Sequence, residues 1–197
     1  MNSKIFLLLL SLLNLYCEEN KVSPTTVPKD YTVQIEHVKK FAQWYKYNQK
    51  LAFMIDYSLH SGLNRFFVID LEKKTLIKKG LVCHGSCKGQ NKNATAEIFS
   101  NTSDSYCTTL GMAVVAERAH SRWGKNYKYW LNGLEESNAN MRKRVIVLHA
   151  WEHVPDKEVY PKSIAMSWGC PTVSIQFLDA LDIILKENDK VLLYSFN

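Results

Sequence analysis

The sequence predicts a β-rich α+β domain, and three observations carry that prediction. Apolar runs at residues 51–58, 65–71, 110–117, 144–151 and 191–196 are too short for helices and are bounded by polar turns. Only two stretches, 31–48 and 175–189, repeat apolar residues at helical spacing. The order is helix, several strands, one helix, one strand, with no internal repeat or low-complexity tract. A chain of 197 residues with 46% hydrophobic and 22% charged residues suits one globular domain with short extensions, and it can bury a core without relying on disulfides.

The first 17 residues, MNSKIFLLLLSLLNLYC, carry one lysine and then an apolar run from Ile5 to Leu13. That layout is a secretory signal, too short for a stable membrane span; a hydrophobic helix of the fold is the alternative. Cys17 stands where a bacterial lipoprotein carries its acylated cysteine, although Asn14, Leu15 and Tyr16 are larger than the residues that site takes. Lipid anchoring through Cys17 and plain cleavage both stay open, and either sends the chain out of the cytoplasm to the periplasm or cell envelope. Residues 18–30, polar with two prolines, read as a tether.

In the helix over 31–48, Ile35, Val38, Ala42 and Tyr45 form the apolar stripe, and this N-terminal helix region extends to residue 50 ahead of a main domain at 51–197. LAFMIDYS (51–58) reads as a strand, and residues 65–85 as two strands joined at Glu72-Lys73-Lys74. The polar section 88–106 has few apolar anchors, and loops of that length are usually functional or mobile. LGMAVVAE (110–117) gives a strand, KYWLNGLE (128–135) a short strand and turn, and RVIVLHAW (144–151) a clear β run. In that run Val145, Val147 and His149 share one face, opposite Ile146 and Leu148. The second helix places Phe177, Leu178, Leu181, Ile184 and Leu185 on one stripe, capped by Ser174 and ended by Lys186 and Asn188. VLLYSF (191–196) closes as a strand.

The formal charge of +6, or +5 once Lys4 leaves with the signal, is spread over scattered lysines. With no basic helix or arginine stripe, nucleic acid is not the expected partner; an anionic cell wall is. Of the five cysteines, Cys83, Cys87 and Cys107 remain once Cys17 and Cys170 are set aside, so at most one internal pair forms. A bond from Cys83 or Cys87 to Cys107 competes with zinc ligation by Cys83, His84, Cys87 and Cys107. Against zinc, Cys83 and His84 are strand neighbours pointing to opposite faces.

Ser167-Trp168-Gly169-Cys170-Pro171 carries the chemistry. A cysteine nucleophile needs a base or electropositive neighbour to form thiolate and donors for the oxyanion that develops on attack. Gly169 permits a sharp turn and close substrate approach, and the Gly169 and Cys170 amides are the candidate oxyanion donors. His149, 21 residues upstream at a strand end, is the candidate general base. A disulfide partner or inert core residue is the plain alternative for Cys170, and a satisfied strand-end histidine for His149. His120 and His153 read as solvated. Trp123, Tyr127, Tyr129 and Trp130 either line a groove or pack as strand aromatics.

The chain resembles the L,D-transpeptidase catalytic domain family, in the branch whose nucleophile motif is Ser-Trp-Gly-Cys-Pro. The supporting stretches FFVIDL (66–71), VCHG (82–85), FSNT and SDSYCTTLG (99–111), LNGLE (131–135) and RVIVLHA (144–150) stand in the family's order. The resemblance implies a β-sandwich or mixed sheet with an N-terminal helix and a helix after the nucleophile loop. It implies Cys170 as nucleophile, His149 as base, Ser167 and Gly169 shaping the loop, and Ser167, Trp168 and His84 on the substrate side, with a structural hydrogen bond as the alternative for His84. The implied reaction attacks the bond between a diamino acid and D-Ala in a peptidoglycan stem, forms a thioester, releases D-Ala and passes the acyl group to an amine. No metal or organic cofactor is implied, and carbapenem-type β-lactams are the expected acylating inhibitors. Three positions depart from the family: Ala150 follows the histidine in place of glycine, and Met166 and Thr172 stand where relatives carry an arginine. Arg118, Arg142, Arg144 or a lysine are the candidates to supply the missing cation. Water as acceptor would make an L,D-carboxypeptidase, and a non-catalytic wall-binding lipoprotein is the alternative from another class. A papain-like endopeptidase is disfavoured because its cysteine precedes its histidine.

Overall fold

The computed structural model describes residues 30–197; the expected leader and nearly all of the expected tether lie outside the described residues. In chain order the elements are α1 (Thr32–Tyr45), β1 (Leu51–Asp56), β2 (Phe66–Asp70), β3 (Thr75–Gly80), β4 (Gly111–His120) and β5 (Tyr127–Gly133), then β6 (Val147–Ala150), β7 (Thr172–Val173), α2 (Ile175–Glu187) and β8 (Leu192–Phe196). The eight strands form a single mixed sheet in the order β3-β2-β1-β8-β4-β5-β6-β7, so the predicted class holds in its mixed-sheet form. The pairs β1–β8 and β6–β7 are parallel and the others antiparallel.

The two faces of the sheet each bury one helix. Seven strands share one apolar cluster with Phe177, Leu178 and Leu181 of α2, including Phe53, Phe66, Val115, Leu131, Leu148, Val173 and Leu193. The opposite face of β1, β2, β4 and β8 packs Ala52, Met54, Phe67, Ile69, Met112 and Leu192 against Ile35, Val38 and Ala42 of α1. Tyr45 departs from the predicted stripe: it is exposed in the last turn of α1, where Lys46 leaves the helix with a left-handed φ of 57°. Among the described residues, no helix is long and apolar enough to cross a membrane.

Three features fix α2, which follows directly on the Cys170 segment. The Ser174 hydroxyl accepts the Phe177 N–H at 3.1 Å, capping the first turn. Buried Asp182 accepts from Tyr129 Oη at 2.6 Å, Arg118 Nε at 2.8 Å and Lys186 Nζ at 2.7 Å. Asp179 accepts from Tyr127 Oη at 2.6 Å. Tyr127 and Tyr129 are therefore strand aromatics tying β5 to α2, the packing alternative for that part of the aromatic cluster.

Segment 144–151 departs from simple alternation. Arg144 and Val145 precede β6 in a turn where Val145 has a φ of 59° and is exposed, so Val145 does not share the Val147–His149 face. Ile146, Leu148 and Ala150 join the α2-side cluster as expected. The polar section 88–106 is pinned by a Cys87–Cys107 disulfide, while Cys83 is a buried free thiol. The bridge occupies two of the four possible zinc ligands, and no cluster of three or more metal-ligating residues occurs among the described residues.

Candidate active site

The Cys170 loop is laced onto the segment that leaves β3. Cys83 N–H donates to Thr172 O at 2.8 Å, Ser167 N–H to His84 O at 2.8 Å, and Ser86 N–H to Ser167 O at 2.9 Å. On its other side β7 pairs with β6 in a register that sets Thr172 beside His149. The loop between is tightened from within: Ser167 Oγ donates to Cys170 O at 2.7 Å and accepts the Gly169 N–H at 3.2 Å. Gly169 has a φ of 105°, and a Cβ there would meet Cys107 O at 2.6 Å, so only glycine fits this turn. The Gly169 amide is thus engaged inside the loop and is a poor oxyanion donor, which corrects the sequence expectation. The Cys170 amide, with no acceptor in the chain among the described residues, is the donor that remains.

Cys170 and His149 line the same cleft, of about 340 Å³. The thiol donates to Val145 O at 3.7 Å, and Sγ accepts the Val147 N–H at 3.5 Å. Burial holds the thiol above its ordinary range, opposed by the Val147 N–H and by the positive charges of Arg144 and Lys128. His149 is buried, and its Nδ1 lies 3.0 Å from Ala150 O, an atom that can only accept; Nδ1 therefore carries the proton. Nε2 is then the acceptor and lies 3.0 Å from Thr172 Oγ1, whose single proton has Cys170 O at 3.3 Å as its other acceptor. Burial lowers the His149 affinity for a second proton, the Ala150 carbonyl raises it and Lys128 lowers it. Both shifts favour a resting pair of neutral thiol and neutral imidazole. Ala150 has no positive φ and sits in a regular strand, so its methyl meets no backbone strain.

Of the candidate cations, Arg118 is bound to Asp182 and Arg142 to Glu117. Arg144 remains, and with Lys128 of β5 its positive charge favours the Cys170 thiolate. Its Nη1 donates to Ser100 O at 2.7 Å and to Thr109 Oγ1, and its Nη2 to Cys107 O at 2.7 Å and Ser105 Oγ at 3.1 Å. His84 takes the structural, hydrogen-bonded one of its two expected roles rather than the substrate-side one. Its ring is fully buried, with Nδ1 2.8 Å from Arg65 Nη2 and Nε2 2.8 Å from Lys92 O. Nδ1 accepts and Nε2–H donates, so both ring nitrogens are used within the protein; burial and the Arg65 charge push its pKa down to about 4.

The walls of the cleft are Trp123, Trp151, Met166 and Trp168, with Ser167 and Thr172 supplying polar atoms. Trp168 is 70% exposed and stacks on Tyr106, ring centroids 5.3 Å apart, next to the disulfide. Trp123 stands 6.0 Å from the His149 ring on the other side, so it alone of its cluster reaches the cleft. Its loop rests on Gly124, where a Cβ would lie 2.1 Å from Ala150 O. Trp151 and Met166 went unsuspected as wall residues. Their only sequence signal is adjacency, since each borders the histidine or cysteine stretch.

Comparison with known proteins assigns the chain to a family. Residues 22–195 match the family model described as the L,D-transpeptidase catalytic domain. No curated protein matches. Among solved structures, the helical cell shape determining protein Pgp2 from Campylobacter jejuni aligns at 9% identity and a TM-score of 0.46, over 76% of this chain and 49% of that one. An L,D-transpeptidase from Xylanimonas cellulosilytica DSM 15894 aligns at 12% identity and a TM-score of 0.40, over 80% of this chain and 68% of that one. The chain thus spans about half the length of the Campylobacter protein.

Proposed function

We propose, for a chain that belongs to the L,D-transpeptidase catalytic domain family, that it is an exported peptidoglycan L,D-transpeptidase acting through a thioester on Cys170. The observation that supports this reading is the placement of Cys170 and His149 on one cleft, joined by the β6–β7 register and by Thr172 between them. In the resting site the thiol faces Val145 O and Nε2 faces Thr172, so reaction begins when substrate entry turns the thiol toward Nε2. Apo catalytic hydrogen bonds are often long and tighten only with substrate bound.

From a neutral pair, His149 Nε2 takes the Cys170 proton as Sγ bonds to the carbonyl carbon of the diamino acid. The carbonyl electrons move to oxygen, where the Cys170 amide is the donor at hand. The intermediate collapses by breaking the C–N bond, and the departing D-Ala amine takes the proton from His149. A second stem's amine then attacks the thioester, passes a proton through His149, and releases the Cys170 thiol. Water in that place yields the tripeptide instead. Attachment through a lipidated Cys17 would keep the enzyme at the membrane beside its substrate.

The test is intact-protein mass spectrometry of the protein and Cys170→Ala with disaccharide-tetrapeptide, reading adduct and products together. The expected result is an acyl adduct that needs Cys170, with D-Ala release and cross-linked dimer. Adduct with tripeptide alone makes it a carboxypeptidase. Neither adduct nor D-Ala from folded, reduced protein with several stem types turns the reading to a wall-binding module.

A further inference from the structure

Arg144 is a half-buried guanidinium whose partners are all uncharged. It reaches two carbonyls and two hydroxyls on residues 100–109, and no carboxylate lies within ion-pair distance among the described residues. Arg118 and Arg142 show the contrast, each neutralised by a carboxylate. Taking a cation partly out of water without a counterion costs free energy that hydrogen bonds to neutral acceptors only partly offset, which leaves its charge available to a nearby anion. The group nearest to that need is Cys170. Val145, the next residue, offers its carbonyl to the thiol at 3.7 Å. Cys107 O, which accepts from Arg144 at 2.7 Å, is also the atom that packs against Gly169.

We propose that Arg144 is a positioning residue for the nucleophile: its fork fixes the Cys107 carbonyl under the Gly169 turn, and its unneutralised charge supplies the counterion for the Cys170 thiolate. It touches neither substrate nor sulfur, and it acts through the field and the loop. The sequence expectation that an arginine grips a substrate carboxylate does not suit it, because both terminal nitrogens are occupied. The other ionisable groups around the thiol are Lys128 of β5, His149 of β6 and Tyr57, which follows β1. Lys128 adds positive charge, His149 is neutral at rest, and the Tyr57 hydroxyl is held un-ionised by burial. Arg144, held by four hydrogen bonds beside the loop, is therefore the positioned cation near the sulfur, with Lys128 as a second positive charge.

This inference rests on Cys170 as the nucleophile, and the test of its charge role needs no stem peptide. Rates of Cys170 alkylation by iodoacetamide, read by peptide mass mapping across pH, report the thiolate directly. In Arg144→Gln the midpoint should rise by about one pH unit, slowing alkylation at pH 7 roughly tenfold. Arg144→Lys keeps the charge and loses the fork. It should keep the midpoint near that of the parent protein while lowering kcat for D-Ala release more than it changes KM. Circular dichroism identifies folded samples, and Arg144→Met, which also removes the charge, serves if Arg144→Gln does not fold. Unchanged midpoints in both folded variants, or a Lys midpoint that rises as far as the Gln midpoint, overturn the charge role. If the midpoints move as expected but no stem peptide acylates the protein, the transpeptidase reading fails and the assignment of Arg144 stands.

Discussion

Replacing Gly169 by alanine tests the nucleophile loop where its geometry is tightest. A Cβ at Gly169 would lie 2.6 Å from Cys107 O and 3.2 Å from Ile146 Cδ1, against 3.4 Å for ordinary contact. The carbonyl cannot yield freely, because Arg144 Nη2 holds it at 2.7 Å and the Cys87–Cys107 bridge holds its residue. The loop must therefore give way by about 0.8 Å, the difference between those contacts. A left-handed φ of 105° on a residue with a side chain adds strain of about 1–3 kcal/mol. For a domain of this size that lowers Tm by roughly 2–12 °C. The displacement falls on Cys170 itself, one residue on, and a misplacement near 1 Å costs on the order of 100-fold in rate. The assay is D-Ala release from disaccharide-tetrapeptide, with differential scanning calorimetry on the same samples. Gly169→Ala should lose about two orders of magnitude in kcat with a smaller change in KM. An alanine variant with the parent's kcat and Tm would refute the argument that the Cys107 carbonyl confines this turn.

Two further outcomes follow from the histidines. Thr172→Val removes the hydroxyl that donates to His149 Nε2 and stabilises the neutral ring, so the acidic limb of kcat/KM should move to higher pH by up to about one unit; a limb that stays or moves down removes Thr172 from the mechanism. His84, whose pKa falls from 6.5 to about 4 on folding, is neutral in the native protein, and the unfolded chain takes up its proton first as pH falls. Its contribution is full above pH 6.5 and is lost between 6.5 and about 4, amounting to roughly 3 kcal/mol. Urea midpoints at pH 7.5 and 4.5 should therefore fall further for the parent than for His84→Gln, and equal falls would remove His84 as the source.

Periodicity disclosed the elements whose burial is one-sided and regular. The α2 stripe with its Ser174 cap and the β2–β3 turn at Glu72-Lys73-Lys74 stand where the sequence put them. The strand β7 was not foreseen because two residues, Thr172 and Val173, carry no period. Val145 misled because a positive φ reverses the side of its chain without any mark in residue type. At the site, Cys170 and His149 were visible as chemical types at suggestive positions. What the residue types could not convey was which atoms were already taken. The Gly169 amide is held by Ser167, the His84 ring by Arg65 and Lys92, and the Arg144 fork by residues 100–109. The Arg65–His84 and Arg144 engagements join segments far apart in sequence, and the local Ser167–Gly169 bond depends on a turn that residue types alone do not mark.

The position of β8 has a consequence for how the molecule comes into being. It lies between β1 and β4, parallel to one and antiparallel to the other, and is the common neighbour of two half-sheets made earlier in the chain. During synthesis, β3-β2-β1 on one side and β4-β5-β6-β7 on the other meet only where the segment after β3 bonds the Cys170 loop and Thr172, and they share no strand until residues 192–196 leave the ribosome. Pairing of such remote segments makes folding slow. Until then the facing edges of β1 and β4 stay unsatisfied, so the sheet closes only once synthesis has passed β8.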